Sequence, residues 1–535
     1  MTARIAQPIR AVSSGVSSPA LTERVRLFMR LPSRPLPAVL TGTLTLVASL
    51  VVATPVVAQA QAGAIDWQSC TEPKEGMQCA TIKVPLDWSR PKGRTIQIGL
   101  ARRKATGPAS TRIGTALMVP GGPGTSGVAV LARDPQFTAA VQERFDVVTF
   151  DPRGINTSTQ IKCATALVDK VMNTPMPQSN AAFESLKLAN KQLSENCRKL
   201  SGPLYDHMDN LHVVQDMDAI RAALGENKIT QIGYSYGTVR VQQYAAMFPD
   251  RVRASVADGN VDHSIETITE MMDSATAPAE KNFLQFAAWC DKTADCALYG
   301  RGTKKIFGEL RERAKKGTLK DPLNGQPLDV YGLSRIALGV NMPELWKDVA
   351  STFKSLYDGG AAMPKPKAAP KAKAGKTQNF TRQASFCQDW NFRIKQYSEL
   401  RTLLSRLAAK YPNMMWNDVH RAAVLDCAGY PGKATNPQAP LKIVGAPPMV
   451  MVGNVNEYAS VYAWSKNAAK QAGATLVTYE GYGHTVYPRT VAYGPSDCVN
   501  DLIDDYLINL RVPARGSSCA GIEVPGTGGP QPPRS

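Results

Sequence analysis

The densest chemical signal in this chain is Gly233-Tyr234-Ser235-Tyr236-Gly237. The apolar run Ile229 to Tyr234 reads as a strand, and Thr238 to Phe248 reads as a helix. Between them the motif is a nucleophile elbow, a tight strand-to-helix turn that lifts a serine hydroxyl above the sheet. A serine hydroxyl is a weak nucleophile and needs a general base, most often histidine with a pKa near ~6.5. Five histidines are present. His207 and His212 precede the serine, His420 lies in a helical pattern, and His263 comes before any strand able to carry the acid. His484, in Glu480-Gly-Tyr-Gly-His484, follows the last strand signal, as the order serine, acid, histidine requires. The acid belongs in the loop after the preceding strand, where Glu457 is the one carboxylate between Gly453 and Ser460. Its role would be to hold the imidazole tautomer and stabilise the imidazolium. Two backbone amides would complete the site as an oxyanion hole: that of Tyr236, and that of Gly122 in the loop Pro120-Gly-Gly-Pro-Gly124.

These residues need a scaffold that presents loops at one edge of a sheet. Thr115 to Val119, Phe145 to Phe150, Ile229 to Tyr234 and Val252 to Ala257 are short, apolar, β-branched runs followed by turn residues, and Ile96 to Arg102 alternates as a strand. Helical spacing lies between some of them, as in His212 to Leu224. Strands alternating with helices imply an α/β fold with a mostly parallel sheet covered by helices. From about Asp262 to Pro440 the pattern turns helical, and strand signals return at Pro448 to Gly453 and Thr475 to Tyr479. The expected organisation is a core over 61–261 and 441–535, interrupted by a mainly helical cap over 262–440. The segment Cys70 to Asp87 reads as an irregular, cysteine-stapled stretch.

Residues 1–60 read as an export signal: Arg24, Arg26, Arg30 and Arg34 lead into the apolar run Ala38 to Val57, followed by small residues at Ala58-Gln59-Ala60 or Ala62. A start at Met29 would make the signal more compact, and a retained membrane anchor is the alternative. The ten cysteines lie at 70, 79, 163, 197, 290, 296, 387, 427, 498 and 519. An even number beyond a signal implies disulfides in a secreted or cell-surface protein, with neighbour pairing suggested by proximity and connectivity left open. No CxxC or HExxH pattern supports zinc, and no cofactor or metal is demanded.

The 535 residues are 43% hydrophobic and 20% charged, which excludes a disordered or fibrous chain. The net charge is +18, but five lysines fall in the Lys/Ala/Pro-rich loop 363–376, which lacks the interleaved aromatics of a nucleic-acid groove. Weak attraction to an anionic cell surface is all that this charge implies. Oligomeric state is not readable.

At these residues the chain resembles the proline-iminopeptidase and tripeptidyl-aminopeptidase group of α/β-hydrolases, particularly its secreted actinobacterial branch. Pro120-Gly-Gly-Pro-Gly124 is similar to that group's HGGPG loop, Phe150-Asp-Pro-Arg-Gly154 to its FDPRG turn, Gly233 to Gly237 to its GxSxG elbow, and Gly483-His484 to its GH. The resemblance implies an α/β-hydrolase fold, with Ser235 as nucleophile, His484 as base, and Gly122 and Tyr236 at the oxyanion. It also implies an exo-aminopeptidase that grips a free amino group with cap carboxylates, for which Glu266, Glu270 and Asp273 are candidates. Three departures stand out: Pro120 opens the glycine loop, His263 stands where proline is frequent, and Val455-Asn-Glu457-Tyr-Ala-Ser-Val461 replaces a GxxDPxTP pattern. The alternatives are a carboxylesterase or lactonase acting on a small hydrophobic ester, and a non-catalytic binding protein.

Overall fold

The computed structural model describes residues 65–70, 76–321, 325–359, 375–488 and 494–522. The expected export signal and most of the lysine-rich loop lie outside them. Among the described residues no helix is long and apolar enough to cross a membrane.

In chain order the strands are β1 (Gln68–Ser69), β2 (Met77–Pro85), β3 (Thr95–Arg103), β4 (Gly114–Val119), β5 (Phe145–Phe150), β6 (Lys162–Ala164), β7 (Ile229–Tyr234), β8 (Val252–Asp258), β9 (Thr377–Asn379), β10 (Val450–Asn456), β11 (Thr475–Tyr482) and β12 (Ser518–Ala520). Ten of them form one sheet in the order β1-β2-β3-β5-β4-β7-β8-β10-β11-β12, and β6 pairs with β9 in a separate ribbon. The β1–β2, β2–β3 and β3–β5 pairs are antiparallel. From β5 to β12 every neighbour is parallel.

Burial on both faces explains the apolar runs. Every residue of β4 is buried. Leu117 and Val119 pack on one side with Val213, Met217 and Val241 from the helices Asn210–Ala223 and Gly237–Met247. Ala116 and Met118 face the other side, with Leu131, Val499 and Ile503. Each such valine, leucine, isoleucine or methionine side chain contributes roughly 1.5–3 kcal/mol on burial. The stretch before Asp87 is more ordered than its composition implied: β2 runs the full length of β3, with Ile82 opposite Ile98 and Val84 opposite Ile96. Lys83, Gln78 and Cys79 broke up its apolar pattern, and cross-strand pairing supplied the order.

The Phe150-Asp-Pro-Arg-Gly154 turn is a structural clamp. Asp151 accepts from Ser126 Oγ at 2.6 Å, Val128 N at 3.1 Å, Thr157 N at 2.9 Å and Thr157 Oγ1 at 2.7 Å, which seats the start of the helix Gly127–Arg133. Arg153 is fully buried, pairs with Asp216 at 2.6 Å and donates to the carbonyls of Pro85 and Leu86. Removing one partner of such a pair would strand a buried charge at a cost of about 3–5 kcal/mol.

Between β8 and β10 the chain forms the helices Ile268–Lys292, Thr303–Lys315, Val330–Ala337, Trp346–Asp358, Arg382–Asp389 and Tyr397–Lys410. Phe283, Phe286, Phe307, Trp346 and Phe353 give this layer an aromatic core of its own. The layer is not confined to 262–440. The earlier helix Asn180–Ser201 contributes Phe183 and Leu186 to a cluster with Met272, Leu400 and Leu407, and β6 pairs with β9. Local periodicity cannot show that a segment before the elbow packs with one after it. Five disulfides join Cys70–Cys79, Cys163–Cys197, Cys290–Cys296, Cys387–Cys427 and Cys498–Cys519, so each cysteine pairs with its neighbour in sequence.

Candidate active site

Ser235 sits between the last residue of β7 and the helix Gly237–Met247, with a left-handed φ of 53°. A non-glycine residue in that region is strained and needs surrounding support. Its amide donates to Asp258 O at 2.9 Å, and its carbonyl accepts from Thr238 N at 2.9 Å and Thr238 Oγ1 at 2.6 Å. The flanking glycines are needed for close approach. A Cβ on Gly237 would lie 2.4 Å from Val119 O, and one on Gly233 would lie 2.6 Å from Gly237 O.

His484 follows β11 and meets Glu457, in the loop after β10. His484 Nδ1 lies 3.0 Å from Glu457 Oε1. A carboxylate accepts only, so Nδ1 carries the proton and Nε2 has the free lone pair that a general base requires. Glu457 is 1% exposed and accepts from the amides of Tyr458 at 3.1 Å, Ala459 at 2.9 Å and Thr485 at 3.3 Å. Burial alone would raise its pKa, but the His484 charge and hydrogen bond, with neighbouring amides, hold it below the ordinary glutamate value. Burial pulls His484 down, but Glu457 and then Asp258 raise it above the ordinary imidazole value.

Ser235, His484, Gly121 and Gly122 line one cavity of about 960 Å³. A second of about 470 Å³ is lined by Ser235, Gly122, Tyr236, Trp390, His420 and Trp464, among others. Ser235, Gly122, Val419 and Ala459 line both, so the two spaces meet at the serine. Gly122 has a φ of 109°. Gly121 is the glycine of the loop that packs on the elbow: its Cβ would lie 3.0 Å from Ser235 Cβ and 3.4 Å from Tyr236 N. Arg240 holds the same loop by donating to Pro120 O at 2.8 Å.

The matching family profile is that of the alpha/beta hydrolase fold, over residues 116–488. The chain belongs to the α/β-hydrolase family. Among curated relatives, this α/β-hydrolase is 29% identical to a protein named tripeptidyl aminopeptidase from Streptomyces lividans, over 88% of this chain and 89% of that one. It is 30% identical to the serine protease Hip1 of Mycobacterium tuberculosis, over 85% and 91%. It is 29% identical to a Mycobacterium tuberculosis protein named carboxylesterase B, over 87% and 91%. It is a serine hydrolase.

The structure does not bring the three carboxylates expected to grip an amino group to the serine of this α/β-hydrolase. Neither cavity at Ser235 is lined by Glu266, Glu270 or Asp273. Glu266 and Glu270 are exposed, where Glu270 Oε2 accepts from Glu266 N. Asp273 is engaged by Lys410 Nζ at 2.7 Å and by the Tyr411 hydroxyl at 3.1 Å. Packing of the helix Ile268–Lys292 decided which face turned outward. The charged residues that do line the cavities are Arg133 and Asp134 in the larger, and Arg335, Arg382, Asp418 and Arg421 in the smaller.

Two further acids, Asp258 and Asp389, are buried beside these elements. Asp258, at the end of β8, accepts from the amides of Val486 at 2.7 Å and Tyr487 at 2.8 Å and so anchors the loop that carries His484. Asp389 Oδ2 accepts from the Tyr236 hydroxyl at 2.8 Å, and its Oδ1 accepts from Asn210 N and Asn436 Nδ2. Neither lies in a motif; the carboxylate ending the β8 run was the one available signal.

Burial pushes both acids up to about 7, against ~3.9 in an unfolded chain. The folded state keeps protons that the unfolded chain releases between about pH 4 and 7, so stability from these groups falls as pH rises through that window. Asp389→Asn keeps the size and one acceptor oxygen but cannot ionise. Its unfolding free energy should fall less between pH 5 and pH 7 than that of the parent, by about 2 kcal/mol. Urea titrations at the two pH values check this, and an unchanged difference would refute it.

Proposed function

We propose that Ser235 attacks an acyl carbon, that His484 takes its proton, that Glu457 holds and charges the imidazole, and that the amides of Gly122 and Tyr236 receive the oxyanion. The carrying observation is the 3.0 Å His484–Glu457 contact beside a cavity shared with a serine on a strained elbow. Attack forms the Ser235 acyl-enzyme and expels the leaving group, which takes the proton from His484. Water activated by the same imidazole then releases the acid and restores the serine. The first described part of the core, with 441–535, carries this machinery, and we read 262–440 as the cap that roofs it.

The substrate we infer is a peptide with a free N-terminus, cleaved near that end in an exported setting. The names of two relatives support it, and five disulfides suit an oxidising compartment. A carboxylesterase is the second reading, favoured by cap carboxylates that face away from both cavities and by a relative of that name. The test is turnover of p-nitrophenyl esters and of aminoacyl and tripeptidyl amides with free and blocked N-termini. Serine-dependent cleavage of amides only when the amino group is free is the expected result. Cleavage of esters with amides untouched would establish the esterase instead.

A further inference from the structure

Outside the serine site, two half-buried imidazoles face each other. His207 Nδ1 lies 3.1 Å from His212 Nε2, and with a carboxylate oxygen of Asp87 the three ligand atoms lie within 4.8 Å of one another. They come from three places: Asp87 just beyond β2, His207 at the end of the short turn Gly202–Asp206, and His212 in the first turn of the helix Asn210–Ala223.

Each is held from behind. Ser89 N and Oγ donate to Asp87 Oδ1 at 2.9 and 2.6 Å. Asp87 Oδ2 has the largely exposed Arg90 at 4.0 Å. His212 Nδ1 lies 2.9 Å from Oδ2 of the buried Asp209. That carboxylate can only accept, so His212 carries its proton on Nδ1 and presents the Nε2 lone pair, the arrangement that orients metal-bound histidines. Arg153 lies beneath and donates to His207 O at 3.2 Å, with its charge matched by Asp216.

We propose that Asp87, His207 and His212 bind a divalent cation of the zinc type, with Asp209 as the positioning residue. Two imidazole nitrogens at ~2.0–2.1 Å from one tetrahedral ion stand about 3.3 Å apart, close to the spacing already present. The Asp87 carboxylate closes the third position and water takes the fourth. On binding, the His207 proton moves from Nδ1 to Nε2, so no group needs to be oxidised or ionised. Two nitrogens and one oxygen suit zinc, nickel or copper, whereas calcium and magnesium require more oxygen ligands. The ion would tie the end of β2 to the start of the helix Asn210–Ala223. There, Asn210 accepts from Arg240 at 2.8 Å, the same side chain that holds Pro120 O.

Calorimetry of untagged, disulfide-intact, chelator-treated protein with zinc chloride tests the site, with calcium chloride as comparator. One zinc per chain and no calcium are expected. His207→Ala with His212→Ala should abolish uptake. Asp209→Asn, which keeps a residue able to cap the helix, should weaken zinc by about 10–100-fold. Cobalt(II) should give visible ligand-field bands that vanish in the double variant. Where the double variant does not fold, the Asp209→Asn affinity and its cobalt spectrum decide alone. Absence of zinc uptake, uptake equal in parent and double variant, or affinity unchanged by Asp209→Asn would overturn the proposal, and none of these outcomes bears on the serine chemistry.

Discussion

Ser235→Ala is expected to lower kcat by about 10⁶-fold while leaving the fold intact. The hydroxyl is the atom that would become covalently bonded to substrate, and no neighbouring group replaces it at the end of β7. The methyl fits the same turn, because the strain at φ 53° is borne by the backbone bonds to Asp258 O and Thr238. What survives should be the contribution of binding and of the oxyanion amides, which in such triads leaves roughly 10³–10⁴ over water. Steady-state kinetics on the best substrate of the panel, with fluorophosphonate labelling and mass spectrometry of the modified peptide, measures both aspects. Label on Ser235 in the parent and none in the variant is expected. Retention of more than a few per cent of turnover would remove Ser235 from the mechanism. Absence of labelling in the folded parent would favour the binding-protein alternative.

Glu457→Gln should cost about 10⁴ in kcat and alter the pH profile in a definite direction. The base must be neutral to accept a proton, so activity rises as pH passes upward through the His484 pKa. Burial alone would lower that pKa; Glu457, with a smaller contribution from Asp258, holds it above the ordinary imidazole value. Removing the Glu457 charge should therefore shift the acid limb of kcat/KM to lower pH even as the maximum collapses. The amide can also present its NH₂ to Nδ1, which favours the wrong tautomer. Asp258→Asn is the informative comparison, since Asp258 is buried near the same histidine and bonds the amides of Val486 and Tyr487. It should loosen the His484 loop and change stability more than turnover. If Asp258→Asn showed the 10⁴-fold loss and Glu457→Gln did not, the acid of the triad would be reassigned.

Parts of this protein can be read without coordinates because local physics dictates them. A strand buried on both faces has little choice but to be apolar, so β4, β5, β7 and β8 announce themselves. The elbow is legible because two glycines must admit passing backbone, at 2.4 Å from Val119 O in one case. The order of Ser235, Glu457 and His484 along the chain could be matched to successive strand ends. Their meeting in space depends on β7, β8, β10 and β11 being neighbours in one sheet.

Tertiary packing decided the rest. β2 became a long strand because β3 paired with it along its whole length. Glu270 and Asp273 turned away from the serine because the apolar face of the helix Ile268–Lys292 had to be buried, and Glu266 stayed exposed just before its first turn. Asp389 reached the Tyr236 hydroxyl, and His207 met His212 beside Asp87, across chain separations that no period spans. The sequence by itself determined which residues could do acyl-transfer chemistry and in what order they stand, because strained turns and doubly buried strands constrain residue type locally. Only the tertiary structure decided which buried acids support them and which carboxylates face the cavities, because those outcomes depend on how distant apolar surfaces cover one another.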